Sequence, residues 1–187
     1  MTVFLDLVGS WIVRASLIIV MLTLTVNMNN TLYQSNQQAY AKKLITAVDS
    51  IMYSDVNEAG YNVSGVTFQT ATSLDMQFLG DLNGGGVPET VRYYAVWDST
   101  TRLYTLYRYV NNENSGIPTK MGNTFSTVSF RYYDKNGNTT STLASIVAVR
   151  VNLVSRYVLT NAFATTKGQT KDTMYVSTDF RIQPVNL

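Results

Sequence analysis

The sequence predicts an α+β fold in which one long N-terminal α-helix, apolar in its first half and amphipathic in its second, packs on an antiparallel β-sheet head. Three observations support this prediction. Residues 3–26 are apolar apart from two charges, residues 27–54 continue with helical spacing, and the chain from about residue 62 alternates as strands do. Because helices do not alternate with these strands, the order favours α+β over an α/β fold.

The first half of the helix is long enough to cross a bilayer, because ~20 apolar residues at 1.5 Å rise span its hydrocarbon core. The densest apolar stretch is Leu17–Val26. The polar residues that follow, from Asn27, form no small-residue cleavage site, which argues against a secretory signal peptide. A buried core helix is the other alternative.

Asp6 and Arg14 are the two charges within this apolar run. A charge at bilayer depth costs ~2.5–3.5 kcal/mol on insertion scales. The two residues lie about 12 Å apart along the axis, which is too far for pairing within one helix. Either Asp6 of one chain meets Arg14 of a staggered neighbour, or both side chains reach polar surroundings individually.

The helix is expected to continue to about residue 55, because residues 27–54 contain no Gly or Pro and have one apolar face. Gly60 follows as a stop signal. The predicted domains are therefore a hydrophobic helix over 1–27, as membrane span or filament core, and a head over 28–187 that includes the amphipathic half. The apolar positions of that half are Leu32, Tyr33, Tyr40, Leu44, Ile45, Val48, Ile51 and Met52.

Strands are predicted where apolar or aromatic residues alternate with polar ones. Asp98–Thr101 fits a hairpin loop, and Asn136-Gly137 is typical of a tight turn. The predicted strand segments are 91–97, 102–110, 127–132, 146–154 and 173–182.

The composition excludes several functions. The chain has no Cys and no His, so disulfides, thiolate zinc sites and Ser-His or Cys-His catalytic pairs are impossible. Carboxylates are sparse and scattered along the sequence, and we expect the protein to have no enzymatic activity. A net charge of +2 spread along the chain predicts no basic patch, and no nucleic-acid partner is expected.

One loop resembles a metal site. In residues 80–89, Asp81 and Asn83 match the first two oxygen positions of a calcium loop, and Glu89 could add another. The third ligand position is Gly85. The favoured alternative is a plain glycine-rich turn in which Asp81 and Asn83 bond their own backbone. No cofactor is expected apart from this calcium hypothesis.

Tyrosine is abundant, with 13 residues that concentrate in the strand segments. Stacking on sugars or nucleic acid is one interpretation. Packing within the sheet and contacts between subunits is the favoured one.

An apolar helix that runs into an amphipathic half and then an antiparallel sheet resembles the type IV pilin and type II secretion pseudopilin superfamily. Residues 78–94 and Leu106-Tyr107-Arg108 are similar to the heads of minor pilins and J-type pseudopilins. The start differs from the family pattern, in which a Glu stands at the fifth position. Here an acid stands one place later and is Asp6.

The resemblance implies a structural subunit of a helical homo-oligomeric filament, inserted in the inner membrane with its assembly machinery and then displayed outside the cell. Asp6 would neutralise a neighbour's terminal amine. An alternative is a single-pass membrane-anchored β-sheet binding domain that does not polymerise. The predicted assembly residues are Phe4, Asp6, Trp11, Arg14, Leu17, Ile18, Val20, Leu22 and Leu24.

Overall fold

A computed structural model describes residues 2–111, 113–159, 172–184 and 186 of the 187-residue chain, with the side chains of these residues except 2–5, 114, 159 and 172. The fold is α+β, as predicted: one long N-terminal helix and a seven-stranded antiparallel sheet that curls around the helix's second half.

Helix α1 spans Thr2–Asn57 without interruption, close to the predicted range. The absence of Gly and Pro after Gly9 allows every turn of its hydrogen-bond ladder to form. The helix ends where Gly60 takes a positive φ of 86°, a conformation that costs glycine nothing. The predicted stop is therefore confirmed.

The seven strands pair in chain order, so that each strand lies between its sequence neighbours. Single turns of 3₁₀ helix cover Asn114–Gly116 and Leu143–Ser145. The strands are β1 Phe68–Ala71, β2 Asp75–Gly80, β3 Glu89–Asp98, β4 Leu103–Val110, β5 Thr119–Tyr133, β6 Ala148–Leu159 and β7 Asp172–Ile182.

All five predicted strand segments lie within or overlap strands, and the hairpin at Asp98–Thr101 joins β3 to β4. The turn at Asn136-Gly137 also forms, with Gly137 at φ 81° and the Asp134 carboxylate accepting the N–H groups of Asn136 and Asn138. The sequence did not single out β1 and β2.

The chain forms two compact units, each described by itself. The described residues of the first fall within Met1–Tyr40 and Val158–Thr173, and those of the second within Ala41–Tyr157 and Met174–Leu187. The second unit contains the hydrophobic core, where the apolar face of α1 from Ile45 to Val56 lies among the inward side chains of the sheet. The largest fully buried side chains of the sheet are Tyr93, Phe68, Phe78, Phe130, Met76, Leu106 and Leu153.

The sheet curls because β5 reaches the turn between β1 and β2. The Phe130 N–H donates to the Ser73 carbonyl at 3.0 Å, and the Tyr132 hydroxyl donates to the Thr72 carbonyl at 2.9 Å. Register shifts between β4 and β5, at Tyr104–Tyr107, make the pairing irregular earlier in β5. The curl leaves one sheet face on the core and turns the other outward.

Candidate functional site

The first candidate site is the exposed apolar surface of α1. The predicted assembly residues Trp11, Leu17, Ile18, Val20, Leu22 and Leu24 are all exposed, and Trp11 is 68% exposed. The side chain of Phe4 lies outside the described residues. Soluble monomers rarely expose contiguous apolar patches of this extent. From Asp6 onward, α1 is long and apolar enough to cross a membrane, and none of its most apolar stretch is buried within the chain.

The polar side chains of this segment bond to their own helix. The hydroxyls of Ser16, Thr23 and Thr25 donate to the carbonyls four residues earlier, at 2.8–2.9 Å. A hydroxyl satisfied in this way needs no water. The segment therefore presents an apolar surface even where its sequence is polar, which suits burial in lipid or among other helices.

The two charges of the segment have no such local partner. Asp6 and Arg14 are both exposed, and no ion pair within the described part of the chain includes either residue. Their spacing along one helix prevents them from pairing with each other. Any ion-pair partner of these two residues therefore lies outside the described part of the chain.

The glycine-rich loop between β2 and β3 is an internally bonded turn. Asp81 and Glu89 are each only 2% exposed. The Asp81 carboxylate accepts the N–H groups of Gly85 at 2.9 Å and Gly86 at 2.7 Å, and the Asn62 amide at 2.6 Å. Although burial opposes ionisation, these donors hold the pKa of Asp81 below its ordinary value.

Glu89 completes the loop from the start of β3. Its carboxylate accepts the Leu82 N–H at 2.9 Å and the Asn83 side-chain amide. All four carboxylate oxygens of Asp81 and Glu89 thus accept N–H donors. Among the described residues, no three Asp, Glu, His or Cys side chains gather as a metal-binding group. This geometry favours the plain turn, and the calcium site of Asp81, Asn83 and Glu89 stays a prediction.

A buried ionic network, which the sequence did not indicate, joins α1 to the sheet. Arg108 of β4 donates to both oxygens of Asp55 in α1, at 2.6 and 3.2 Å, and its Nη1 pairs with Glu113. The Tyr93 hydroxyl also donates to Asp55. Although desolvation favours its neutral form, hydrogen bonds to Asp55 and Glu113 raise the pKa of Arg108. Burial and the Asp55 charge raise the pKa of Tyr93 well above its usual value.

The tyrosines divide between the two sheet faces. Tyr93 and Tyr132 are buried in the core, whereas Tyr94 and Tyr107 face outward and stack with ring centroids 5.2 Å apart. These contacts agree with the favoured interpretation of tyrosine as a sheet-packing residue.

Comparisons with known proteins identified no relative of this chain. No family model matches the chain, and neither the curated proteins nor the solved structures gave a match.

Proposed function

We propose that the protein is a structural subunit of an extracellular pilin-like filament that polymerises through its apolar N-terminal helix. The observation that carries the proposal is the exposed apolar surface of α1 from Leu7 to Val26, which nothing in the described part of the chain covers. Burying one Leu, Ile or Val side chain contributes about 1.5–3 kcal/mol, so this surface provides a strong drive to associate.

The charges favour association of helices over a solitary membrane anchor. Arg14 lies within the apolar segment, where a lone helix gains nothing from a charge. In a bundle of staggered copies, Asp6 of one chain can neutralise Arg14 of the next. Each copy then uses two different surfaces, and such a heterologous contact generates an open helical polymer rather than a closed ring.

The proposal also implies that the protein moves from the membrane, before assembly, to the outside of the cell, after assembly. Before assembly, α1 spans the inner membrane beside the assembly machinery, with the head outside. After assembly, the helices form a water-excluding core and the sheets form the surface of the filament. The proposed relationship to the type IV pilin and pseudopilin superfamily rests on this layout and on the loop sequence of residues 78–94.

Electron microscopy of material sheared from cells that express the full chain tests polymerisation. We expect thin fibres that contain this protein. Recovery of the protein solely as detergent-solubilised monomers, with no fibres, would support the membrane-anchored binding domain instead.

A charge exchange tests the pairing of Asp6 with Arg14. Asp6→Arg and Arg14→Asp should each abolish fibres, because each juxtaposes like charges in the helix core. The double variant Asp6→Arg/Arg14→Asp should restore them. Ser16→Ala, which removes a self-satisfied hydroxyl from the same segment, is the matched control and should assemble normally. If the double variant assembles no better than the single ones, the two residues do not pair.

A further inference from the structure

Three arginines gather on the outward face of the sheet, across β5, β6 and β7. Arg131 and Arg150 lie directly opposite each other on β5 and β6. Arg181 of β7 stacks its guanidinium over the Tyr133 ring, 4.7 Å from the centroid. These arginines are separated in the sequence by up to 50 positions, and the folding of the sheet brings them together.

Only one carboxylate balances this cluster among the described residues. Asp179 of β7 accepts the Nε and Nη2 groups of Arg150, both at 2.7 Å. Three positive charges and one negative charge leave +2, which equals the formal net charge of the whole chain. Arg150 is neutralised, whereas Arg131 is exposed and forms no ion pair in the described part of the chain.

One carboxylate faces both arginines: Asp179 pairs with Arg150, and the charge of Arg131 also contributes to lowering the pKa of Asp179. Like charges directly opposite on neighbouring strands destabilise a sheet. A neutral polar residue at position 131 would avoid this repulsion and keep the alternation of β5. An anion bound between the strands would instead turn the same pair of residues into a binding contact.

The cluster borders a shallow cavity of about 400 Å³, a volume within the range of small-molecule sites. Its lining combines charge with neutral hydrogen-bonding groups, and none of the described residues that line it is aromatic. The residues that line it are Thr127, Ser129, Arg131, Arg150, Asn152 and Asp179.

We propose that this cavity, the β5–β7 arginine site, binds an acidic sugar unit of a glycan. Arg131 receives the sugar carboxylate in the bidentate geometry that a guanidinium favours. Ser129, Asn152 and Asp179 exchange hydrogen bonds with the ring hydroxyls. A phosphate-rich strand would place several negative charges near the Asp179 carboxylate, whereas one acidic sugar brings a single carboxylate that Arg131 can pair. The site does not depend on whether the protein polymerises.

Saturation-transfer NMR of the full chain in non-ionic detergent tests the site, with D-glucuronate, D-glucose and acetate as probes. We expect transfer to glucuronate, weak or absent transfer to glucose, and weaker binding as salt rises. Equal binding of glucose, or displacement of glucuronate by an equal concentration of acetate, would overturn the proposal, as would tighter binding of an oligodeoxynucleotide than of an oligoglucuronate.

Two substitutions on β5 test the site, one within it and one at a control position away from it. Arg131→Gln should weaken glucuronate binding by about tenfold, because a charge-assisted hydrogen bond is lost. Lys120→Gln removes the same charge near the other end of β5 and should leave binding unchanged. Arg131→Gln should also leave the melting temperature nearly unchanged, because Arg131 is exposed and forms no ion pair in the described part of the chain. Unchanged binding in Arg131→Gln would refute the site.

Discussion

At the scale of single residues, the contact between Asp55 and Arg108 is a buried ion pair that links α1 to the sheet. The two side chains are 10% and 13% exposed, and their bidentate geometry is completed by the Tyr93 hydroxyl. Replacing one partner of such a buried pair leaves the other charge without compensation, and this residual charge dominates the loss of stability.

Arg108→Leu should therefore lower the free energy of unfolding by about 3–5 kcal/mol, measured by urea unfolding of the full chain in non-ionic detergent. Arg92→Leu is the matched control. Arg92 pairs with Asp75 in the same bidentate manner, but the side chains are 43% and 24% exposed, so the expected loss is about 1 kcal/mol or less. Similar losses in the two variants would show that burial does not set the strength of the Arg108 pair.

Asp49 of α1 is expected to make stability depend on pH. Desolvation raises its pKa, a hydrogen bond with Thr178 opposes this rise, and its Oδ1 is buried without a hydrogen-bond partner. A carboxyl whose pKa is raised by folding favours the folded state below its unfolded pKa, and this contribution is lost as pH rises through the folded pKa.

Asp49→Asn should thus raise the melting temperature at pH 7 and change it little at about pH 3, below the ordinary Asp pKa. Thermal unfolding of both proteins across this range measures the difference. Asp134→Asn, in the exposed turn, is the control for a general effect of removing negative charge. If Asp49→Asn raised the melting temperature equally at both pH values, this would contradict the claim that desolvation raises the pKa of Asp49.

At the scale of elements, the end of α1 lies unusually close to the end of β2. The Gly60 N–H donates to the Leu79 carbonyl at 2.9 Å, and Ala59 bridges to Gly80. A Cβ on Gly80 would lie 2.6 Å from the Glu58 carbonyl oxygen, which is backbone and cannot rotate away. Gly80 is therefore required by this approach rather than by turn conformation.

Gly80→Ala should cost about 2–3 kcal/mol in denaturant unfolding, at the upper end of overpacking effects. Gly122→Ala is the comparison, because its Cβ would meet the Phe125 ring at 2.9 Å and a side chain can shift. Its cost should be smaller. A larger loss of stability in Gly122→Ala than in Gly80→Ala would mean that the backbone after α1 moves more readily than the Phe125 ring.

Hydrogen bonds to Asp81 and Glu89 hold the loop between β2 and β3, and we expect that calcium does not stabilise it further. A ligand at 100 times its Kd would add about 2.7 kcal/mol to the free energy of unfolding, a readily measured shift. We expect no change in melting temperature on adding millimolar calcium, with magnesium as the control. A rise specific to calcium would establish the site at Asp81, Asn83 and Glu89.

At the scale of the whole molecule, the two ends of α1 differ in burial: the C-terminal end packs in the core, and the N-terminal end is exposed. Every buried apolar residue of the core lies between Ala41 and Ile182 among the described residues, whereas the densest run of exposed apolar side chains extends from Leu7 to Val26. The head therefore holds its own core, and among the described residues the N-terminal segment contributes exposed surface and no buried side chain to that core.

A chain lacking residues 1–27 should remain folded without detergent, with the near-ultraviolet circular dichroism of the head, and should form no fibres. Sedimentation velocity measures its state of association. Aggregation or loss of tertiary signal would show that the segment also supports the head.

Most of the element order could be predicted, because helix and strand periodicities are local. The exceptions, β1 and β2, are short. Phe68–Ala71 is too brief to display an alternation, and Asp75–Gly80 merges into the glycine-rich loop. Their status as strands depends on pairing with each other and with β3, which supplies hydrogen bonds that no local pattern records.

The sequence by itself determined the long helix, its change from apolar to amphipathic, the antiparallel head, and the two charges within the apolar segment. Only the tertiary structure decided which distant charges meet. Asp55 and Arg108 are 53 positions apart, and Arg131, Arg150 and Arg181 lie on three strands. The physical reason is that periodicity assigns a side chain to a face, whereas strand register and the approach of the helix determine its neighbours on that face.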